Sequence, residues 1–206
     1  MTKKIEICGN IASGKTTLAK TFSNAGHNCI FENFSNIAFL DDFYKNPSEY
    51  AFETEMAFTL QHYYQLKKAD APMVISDFSR ITDYAFALTT LSANEFVIYE
   101  NMFEHLLCKI GLPEHIILLN TPSDELLKRL YERGRDNEKG ITQSYLEKLY
   151  DNILKVLQEK FKAVKIVHLD TGKIQHKDYS YELLTSLLGL EQCCLNFEAA
   201  AVRETL

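Results

Sequence analysis

The chain has 206 residues, 46% of them hydrophobic, which is enough to bury one core of ordinary size. Its formal net charge of −6 argues against a surface for nucleic acid polymers, because such a surface needs clustered Lys and Arg. It has no run of about 18 apolar residues and no signal-peptide stretch. Its five cysteines form no C-x-x-C pair, which is typical of reduced thiols. Composition therefore predicts a cytoplasmic protein that does not bind membranes.

Short apolar or alternating segments alternate along the chain with segments of helical periodicity. Strands are predicted at 3–8, 29–33, 72–78, 114–121 and 163–170. Helices are predicted after the first strand and at 47–69, 80–91, 93–110, 123–134 and 144–161. This alternation predicts an α/β fold of three layers, in which helices cover both faces of a five-stranded parallel sheet. We assign one domain to 1–188, while the tail at 189–206 matches no strand of the sheet and its role stays open.

A glycine-bounded turn follows the first predicted strand. Residues 8–17 read CGNIASGKTT and match the pattern G-x-x-x-x-G-K-[ST], in which backbone N–H groups cradle a phosphate at the start of a helix. We expect Lys15 to reach the β- and γ-phosphates of ATP and Thr16 to place its hydroxyl on Mg²⁺. The residues expected to bind ATP here are Gly9, Asn10, Ile11, Ala12, Ser13, Gly14, Lys15, Thr16 and Thr17.

Carboxylates end two of the other predicted strands. Glu32 ends the strand at 29–33, where a carboxylate could take the proton from an alcohol that attacks the γ-phosphate. Asp77 closes the strand at 72–78, where an acid could hold Mg²⁺ directly or through water. Either residue could instead only cap a turn. Their placement with the phosphate loop, at the carboxyl edge of one sheet, favours a phosphotransferase site.

Five separated stretches resemble the deoxyribonucleoside kinase family: GNIASGKTT, FEN, FYKNPSEYAF, SDFSRITDYAFA and RLYERGRDNEKGITQSYLEKL. The resemblance spans residues 5 to about 170. It implies a P-loop NTPase-type fold with an arginine-rich lid at about 129–141. It also implies transfer of a phosphoryl group from ATP, with Mg²⁺, to the 5′-OH of a deoxyribonucleoside, and a helical homodimer.

The same resemblance implies roles for particular residues. By it, Glu32 is the general base, and Tyr44 and Glu138 bind the 3′-OH of the sugar. The arginines that match the lid's phosphate-binding residues are Arg129, Arg133 and Arg135. Arginine suits this task because its planar fork pairs with phosphate oxygens, and positive charge on those oxygens is the main source of catalysis in phosphoryl transfer.

The chain departs from the family pattern beside the strand-end acid. The family's Glu-Arg-Ser signature reads DFS at 77–79, so its arginine is absent, and Arg80 is a candidate for that role. Counted back from 86–87, the alignment instead places Asp77 where the arginine belongs, with the preceding serine as the acid. The same two registers decide whether Asp83 matches a base-contacting aspartate of the family.

The predicted helix at 47–69 carries two further departures. A base-reading glutamine of the family is Glu55 here, and a base-pocket arginine is His62. An ionised carboxylate only accepts hydrogen bonds, and guanine offers it adjacent N1–H and N2–H₂ groups, whereas adenine would need a protonated acid or a single contact. Glu55 therefore favours deoxyguanosine, unless it faces solvent on an amphipathic helix. The histidines lack metal-binding spacing, so we expect ordinary polar or core roles for them.

Two other functions fit parts of this pattern. A nucleoside monophosphate kinase of the thymidylate type shares the loop, lid and sheet, but it needs an extra arginine for the acceptor's phosphate. The absence of an arginine beside Asp77 counts against it. A module that binds a nucleotide without turnover is the second alternative, and the presence of Glu32, Lys15 and Thr16 argues for catalysis instead.

Overall fold

A parallel sheet forms the centre of the protein, and the structure, a computed structural model, describes residues 2–34, 37–135, 138–174, 179–188 and 202–205. The parallel strands are β1 Lys3–Gly9, β2 Cys29–Ile30, β3 Met73–Ser76, β4 His115–Asn120 and β5 Lys165–Asp170. They lie in the order β2-β3-β1-β4-β5, which confirms the predicted five-stranded parallel sheet. A sixth strand, β6 Val202–Thr205, pairs antiparallel with β5 and was not predicted.

Helices connect the strands. They are α1 Lys15–Asn24, α2 Leu40–Lys45, α3 Pro47–Lys68, α4 Arg80–Thr90, α5 Ala93–Ile110, α6 Ser123–Arg133, α7 Gln143–Lys160 and α8 Tyr181–Leu187. The five long helices at 47–69, 80–91, 93–110, 123–134 and 144–161 are confirmed to within one residue at each end. The sequence analysis missed α2 and α8, which have six and seven residues and are too short for an apolar pattern to repeat along them.

Helices cover both faces of the sheet because successive strand side chains point to opposite sides. Ile5 and Ile7 of β1 pack against Phe22 of α1, together with residues of α8. Cys8 faces the other way and packs in the cluster that holds Tyr99 of α5, along with residues of α4 and α7. The three-layer arrangement is therefore confirmed, and the carboxyl ends of β1 and β3 meet at one edge of the sheet.

Strand β2 is shorter than the predicted strand at 29–33. It ends at Ile30 because the carbonyls of Phe31 and Asn33 accept hydrogen bonds from side chains of α3 rather than from a neighbouring strand. Glu32 consequently lies just beyond β2, in a segment without regular secondary structure.

The described helices and cysteines bear on the predictions made from composition. None of the helices in the described ranges is long and apolar enough to cross a membrane. The cysteines described there, Cys8, Cys29 and Cys108, are free thiols, whereas Cys193 and Cys194 lie outside the described residues. The cytoplasmic location and the single domain at 1–188 stay predictions.

Candidate active site

The phosphate loop joins β1 to α1 with a backbone that requires glycine at its first position. Gly9 has φ 154°, and a Cβ built there would lie 2.8 Å from Ser13 Oγ and 3.0 Å from Leu119 Cβ. Lys15 turns back over the loop, and its Nζ donates to the carbonyls of Gly9 (3.0 Å) and Asn10 (2.9 Å). Desolvation lowers the pKa of this lysine. The ammonium group is thus held across the mouth of the loop, where an anion would meet it.

The loop is fixed from behind by α7. Asn10 is buried, its Nδ2 donates to the carbonyl of Leu146 (2.7 Å), and its Oδ1 accepts from the N–H of Ile11 (2.8 Å). Ser13 Oγ is buried within the loop and has no hydrogen-bond partner among the described residues. A buried polar group of this kind is normally satisfied, so the arrangement fits a loop that receives a ligand with polar atoms.

Asp77 follows β3 and lies beside the start of α1. Its Oδ1 accepts from the backbone N–H of Glu32 (2.7 Å). Burial raises the pKa of Asp77, while the N–H of Glu32 and the hydroxyl of Thr16 act in the opposite direction. Ser76, the acid position in the alternative register, lies inside β3 and donates to the carbonyl of Phe78 (2.7 Å). The geometry therefore favours the register in which Asp77 is the strand-end acid.

The oxygen atoms of Thr16 and Asp77 are suitable for Mg²⁺. Among the described residues, no group of three or more His, Cys, Asp or Glu side chains could hold a metal by itself. Mg²⁺ usually keeps several waters and binds through one or two protein oxygens together with substrate phosphates. One hydroxyl and one carboxylate beside a phosphate loop fit that donor set.

Glu32 lies in a chain of charged groups with His62 and Asp83. His62 Nε2 is 3.2 Å from Glu32 Oε1, and its Nδ1 is 2.9 Å from both carboxylate oxygens of Asp83. Burial alone would lower the pKa of His62, but the charges of the two carboxylates and the hydrogen bond with Asp83 outweigh it and raise that pKa to about 10. The sequence analysis expected an ordinary polar or core role for His62 and did not identify its two carboxylate partners. The replacement of a base-pocket arginine by His62 was the signal that could have found them.

Arg80 does not take the place of the missing signature arginine. Its Nε donates to Glu6 Oε1 (2.7 Å), its Nη2 lies 2.6 Å from the same oxygen, and its Nη1 donates to the carbonyl of Gly111 (2.6 Å). Glu6 is completely buried and also accepts from the hydroxyl of Ser79 (3.2 Å). Two guanidinium nitrogens of Arg80 thus donate hydrogen bonds, to Glu6 and to Gly111, and the third lies in ion-pair contact with the same buried carboxylate in β1.

The lid begins at the carboxyl end of α6. Arg133 makes a bidentate contact with Glu138, with Nε···Oε2 at 2.9 Å and Nη2···Oε1 at 2.6 Å. Arg135 lies 3.5 Å from the same carboxylate. Burial raises the pKa of Tyr44, and the charge of Glu138 adds to that effect, so the tyrosine and the glutamate lie near one another. Within the predicted lid at 129–141, Asp136 and Asn137 lie outside the described residues.

Arg129 is separated from this group. Its Nε donates to Glu125 (3.0 Å) and its Nη2 donates to the carbonyl of Thr171 (2.6 Å), in the segment after β5. The charge of Arg133 does reach Lys15, where it helps to lower the pKa of the lysine. Of the predicted lid arginines, Arg133 is therefore coupled to the phosphate loop, and the catalytic role of Arg129 stays a prediction.

Glu55 is buried rather than exposed to solvent. It lies on the same stripe of α3 as His62, two helical turns away, and it accepts from the hydroxyl of Thr90 (3.1 Å). Burial raises the pKa of Glu55 from its ordinary 4.5 to about 8, and the charge of Asp83 adds to this. Desolvation therefore favours the neutral acid, which differs from the ionised Glu55 on which the predicted preference for deoxyguanosine rests.

A phosphate loop with a lysine across its mouth, carboxylates at the neighbouring strand ends and an arginine pair at a helix end together define a P-loop phosphotransferase. A family model described as "Deoxynucleoside kinase" matches residues 5–188. The chain belongs to this family, and it is therefore a kinase that phosphorylates nucleosides with a nucleotide as phosphate donor.

Individual relatives agree with this assignment. Deoxyguanosine kinase of Bacillus subtilis is 35% identical over 177 residues, which cover 81% of this chain and 85% of the relative. Deoxyadenosine kinase of Dictyostelium discoideum is 27% identical, covering 81% of this chain and 71% of the relative. The structure of M. mycoides deoxyadenosine kinase with bound dCTP has the same fold, with a TM-score of 0.75 at 19% identity, covering 91% of this chain and 100% of that one.

Proposed function

We propose that this enzyme transfers the γ-phosphoryl group of ATP, with Mg²⁺, to the 5′-OH of a purine deoxyribonucleoside and so forms the monophosphate. The observation that carries the proposal is that Glu32 lies beside Asp77 and within electrostatic range of Lys15 in the phosphate loop. The backbone N–H of Glu32 donates a hydrogen bond to Asp77. The negative charge of the Glu32 carboxylate raises the pKa of Lys15, which opposes the lowering of that pKa by burial. A carboxylate so placed can accept the proton of an attacking alcohol.

In the proposed reaction, the 5′ oxygen attacks the γ-phosphorus and the bond from that phosphorus to the β–γ bridging oxygen breaks. Glu32 accepts the hydroxyl proton, and ADP leaves. Lys15, Arg133 and Arg135 stabilise the charge on the phosphate oxygens, which is the main source of catalysis in such transfers. Mg²⁺, held through Thr16 and Asp77, would neutralise charge on the β- and γ-phosphates.

Residues of α2, α3 and the lid are proposed to bind the nucleoside. Tyr44 and Glu138, which lie near one another, would bind the 3′-OH of the sugar. Glu55 would read the base, with Asp83 nearby. A neutral carboxylic acid has one donor and one acceptor, which match N1 and N6–H₂ of adenine as well as N1–H and O6 of guanine. We therefore propose that deoxyadenosine and deoxyguanosine are both substrates, and that ionisation of Glu55 raises the preference for deoxyguanosine.

Glu55→Gln is expected to remove a pH dependence of base selection. In the wild type, raising the pH from 7 to 9 deprotonates Glu55, so the ratio of kcat/KM for deoxyguanosine to that for deoxyadenosine should rise by about tenfold, the loss of one good hydrogen bond to adenine. In the variant the ratio should stay constant, because an amide does not titrate. Glu53→Gln, a change at an exposed neighbour on α3, is the control. Equal pH dependence in both variants would contradict the assignment.

The proposed function is tested by a panel of deoxynucleosides, ribonucleosides and deoxynucleoside monophosphates with MgATP, in which ADP formation is measured. Purine deoxynucleosides should give the highest kcat/KM. Activity on monophosphates alone would support the thymidylate-type alternative. Nucleotide binding without turnover of any acceptor would support a non-catalytic module instead.

We also propose that the protein is a homodimer. Tyr99 and Phe103 of α5 are buried in the core of one subunit, so they are not available for contact with a second copy. Other apolar residues remain exposed on α3 and α5: Leu60, Tyr64, Val97 and Ile98. Helices α3 and α5 pack against each other, so these residues could form one surface that a second copy covers.

Val97→Glu together with Ile98→Glu is expected to convert the dimer to a monomer, because two charges would be buried without partners in the interface. Sedimentation velocity measures the change. Leu112→Glu, at an exposed apolar residue after α5, is the control and should leave the mass unchanged. A monomeric wild type at concentrations well above those of the assay would refute the dimer.

A further inference from the structure

Helix α3 holds the segment that carries Glu32 at three successive residues. Gln65 Nε2 donates to the carbonyl of Phe31 (3.2 Å), and Gln61 Nε2 donates to the carbonyl of Asn33 (3.0 Å). Between them, His62 Nε2 lies 3.2 Å from the carboxylate of Glu32. Positions 61, 62 and 65 are neighbours on one face of a helix, so a rigid element fixes the backbone and the side chain of Glu32 together.

His62 is itself fixed on its other sides. The Nδ1 atom of His62 lies 2.9 Å from each carboxylate oxygen of Asp83 in α4. The ring of Phe78 stacks on the imidazole, with the ring centroids 3.9 Å apart and the planes 7° from parallel. The side chain is 1% exposed. The contact of Nε2 with Glu32 has the distance of an ion pair but not the alignment of a hydrogen bond. Phe78 stands where the family signature carries arginine, so the cation near Glu32 comes from α3 instead.

We propose that His62, oriented by Asp83, is the positioning residue of the catalytic base and supplies the positive charge beside Glu32. This inference rests on the proposed function, because it assigns Glu32 the role of base. Of the nearby arginines, Arg80 is bound to Glu6 and Arg133 to Glu138. Lys15 is directed to the carbonyls of the phosphate loop. His62 is the cation in direct contact with the Glu32 carboxylate within the described part of the chain.

The charge on His62 has a chemical consequence. Two carboxylates flank the imidazole, so a proton on each ring nitrogen lets His62 contact both of them at once. The ring thereby holds Glu32 Oε1 in one orientation, and a general base must be oriented toward the proton that it accepts. The titratable groups that surround Glu32 and His62 come from every neighbouring element: Lys15, Tyr44, Glu55, Asp77, Asp83 and, through Asp83, Glu6.

The test compares kcat and KM of His62→Gln, His62→Arg and the wild type. In His62→Gln, kcat should fall by about tenfold to hundredfold, because the ion-pair contact that orients the base is lost. KM for the nucleoside should change far less than kcat. His62→Arg keeps a cation at this position and should recover most of the lost kcat. His105→Gln, the same change at an exposed histidine of α5, should behave as the wild type.

The outcomes separate this inference from the proposed function. A wild type without activity on any nucleoside would refute the function. An active wild type whose kcat is unchanged in His62→Gln would refute the positioning role alone, as would a change confined to KM. A second measurement needs no folded variant: ¹⁵N NMR of the wild-type imidazoles should show one ring that carries protons on both nitrogens and does not titrate between pH 6 and 8. Its absence would overturn the proposal.

Discussion

Glu32→Gln is expected to lower kcat by about 10²- to 10⁴-fold while the protein stays folded, since this is the usual contribution of a general base. The amide has the size of the acid, and the backbone N–H of residue 32 can still donate to Asp77. Binding of ATP should be unaffected, because the loop and Lys15 do not depend on this side chain for their geometry. ADP formation at saturating substrates and nucleotide binding by titration calorimetry measure the two effects separately.

The control for this change is Glu159→Gln, at an exposed glutamate near the end of α7. It should leave kcat within about twofold of the wild type, since surface substitutions far from a site have small effects. A Glu32→Gln enzyme with full activity would remove Glu32 from the mechanism. It would also contradict the proposed role of His62, because no catalytic base would then need to be positioned there.

Arg80→Leu is expected to destabilise the protein by about 3–5 kcal/mol, because it leaves the carboxylate of Glu6 buried without its partner. Glu6 is completely buried and Arg80 is nearly so, so water cannot replace the lost contact. In a chain of this length the melting temperature should fall by about 6–20 °C, at roughly 2–4 °C per kcal/mol. Thermal unfolding followed by circular dichroism measures the shift.

Two further variants test whether the loss of stability in Arg80→Leu comes from the buried ion pair or from the removal of any charge. The double change Glu6→Leu and Arg80→Leu should be less destabilising than Arg80→Leu alone, because no uncompensated charge remains. Lys3→Leu breaks the exposed pair with Glu114 and should cost no more than about 1 kcal/mol. A single Arg80→Leu change as mild as Lys3→Leu would refute the structural role of this pair.

The phosphate loop and the long elements were predictable because their information is local. The spacing of Gly9, Gly14 and Lys15 between a strand and a helix specifies the loop without reference to the rest of the chain. Helical periodicity over 18 or 22 residues, as in α5 and α3, likewise identifies a long helix. The short α2 and α8 do not carry enough turns for such a pattern.

The partners of the charged residues were decided by the tertiary structure. Arg80 is a candidate for catalysis by its position in the sequence, yet its partner Glu6 is 74 positions away and buried in β1. His62 reads as an ordinary histidine until α3, α4 and the end of β2 bring Asp83 and Glu32 against it. Folding alone establishes these contacts, because they join segments that no local pattern relates.

The fold class and the phosphate loop could be derived from the amino-acid sequence, since regular spacing specifies both. Glu32 and Asp77 could be found as the acids after β2 and β3, because each follows an apolar segment. The raised pKa values of Glu55 and His62 follow from contacts that exist only in the folded protein. The charge state of a buried group depends on its loss of water and on the charges packed against it, and neither quantity is written in neighbouring residues.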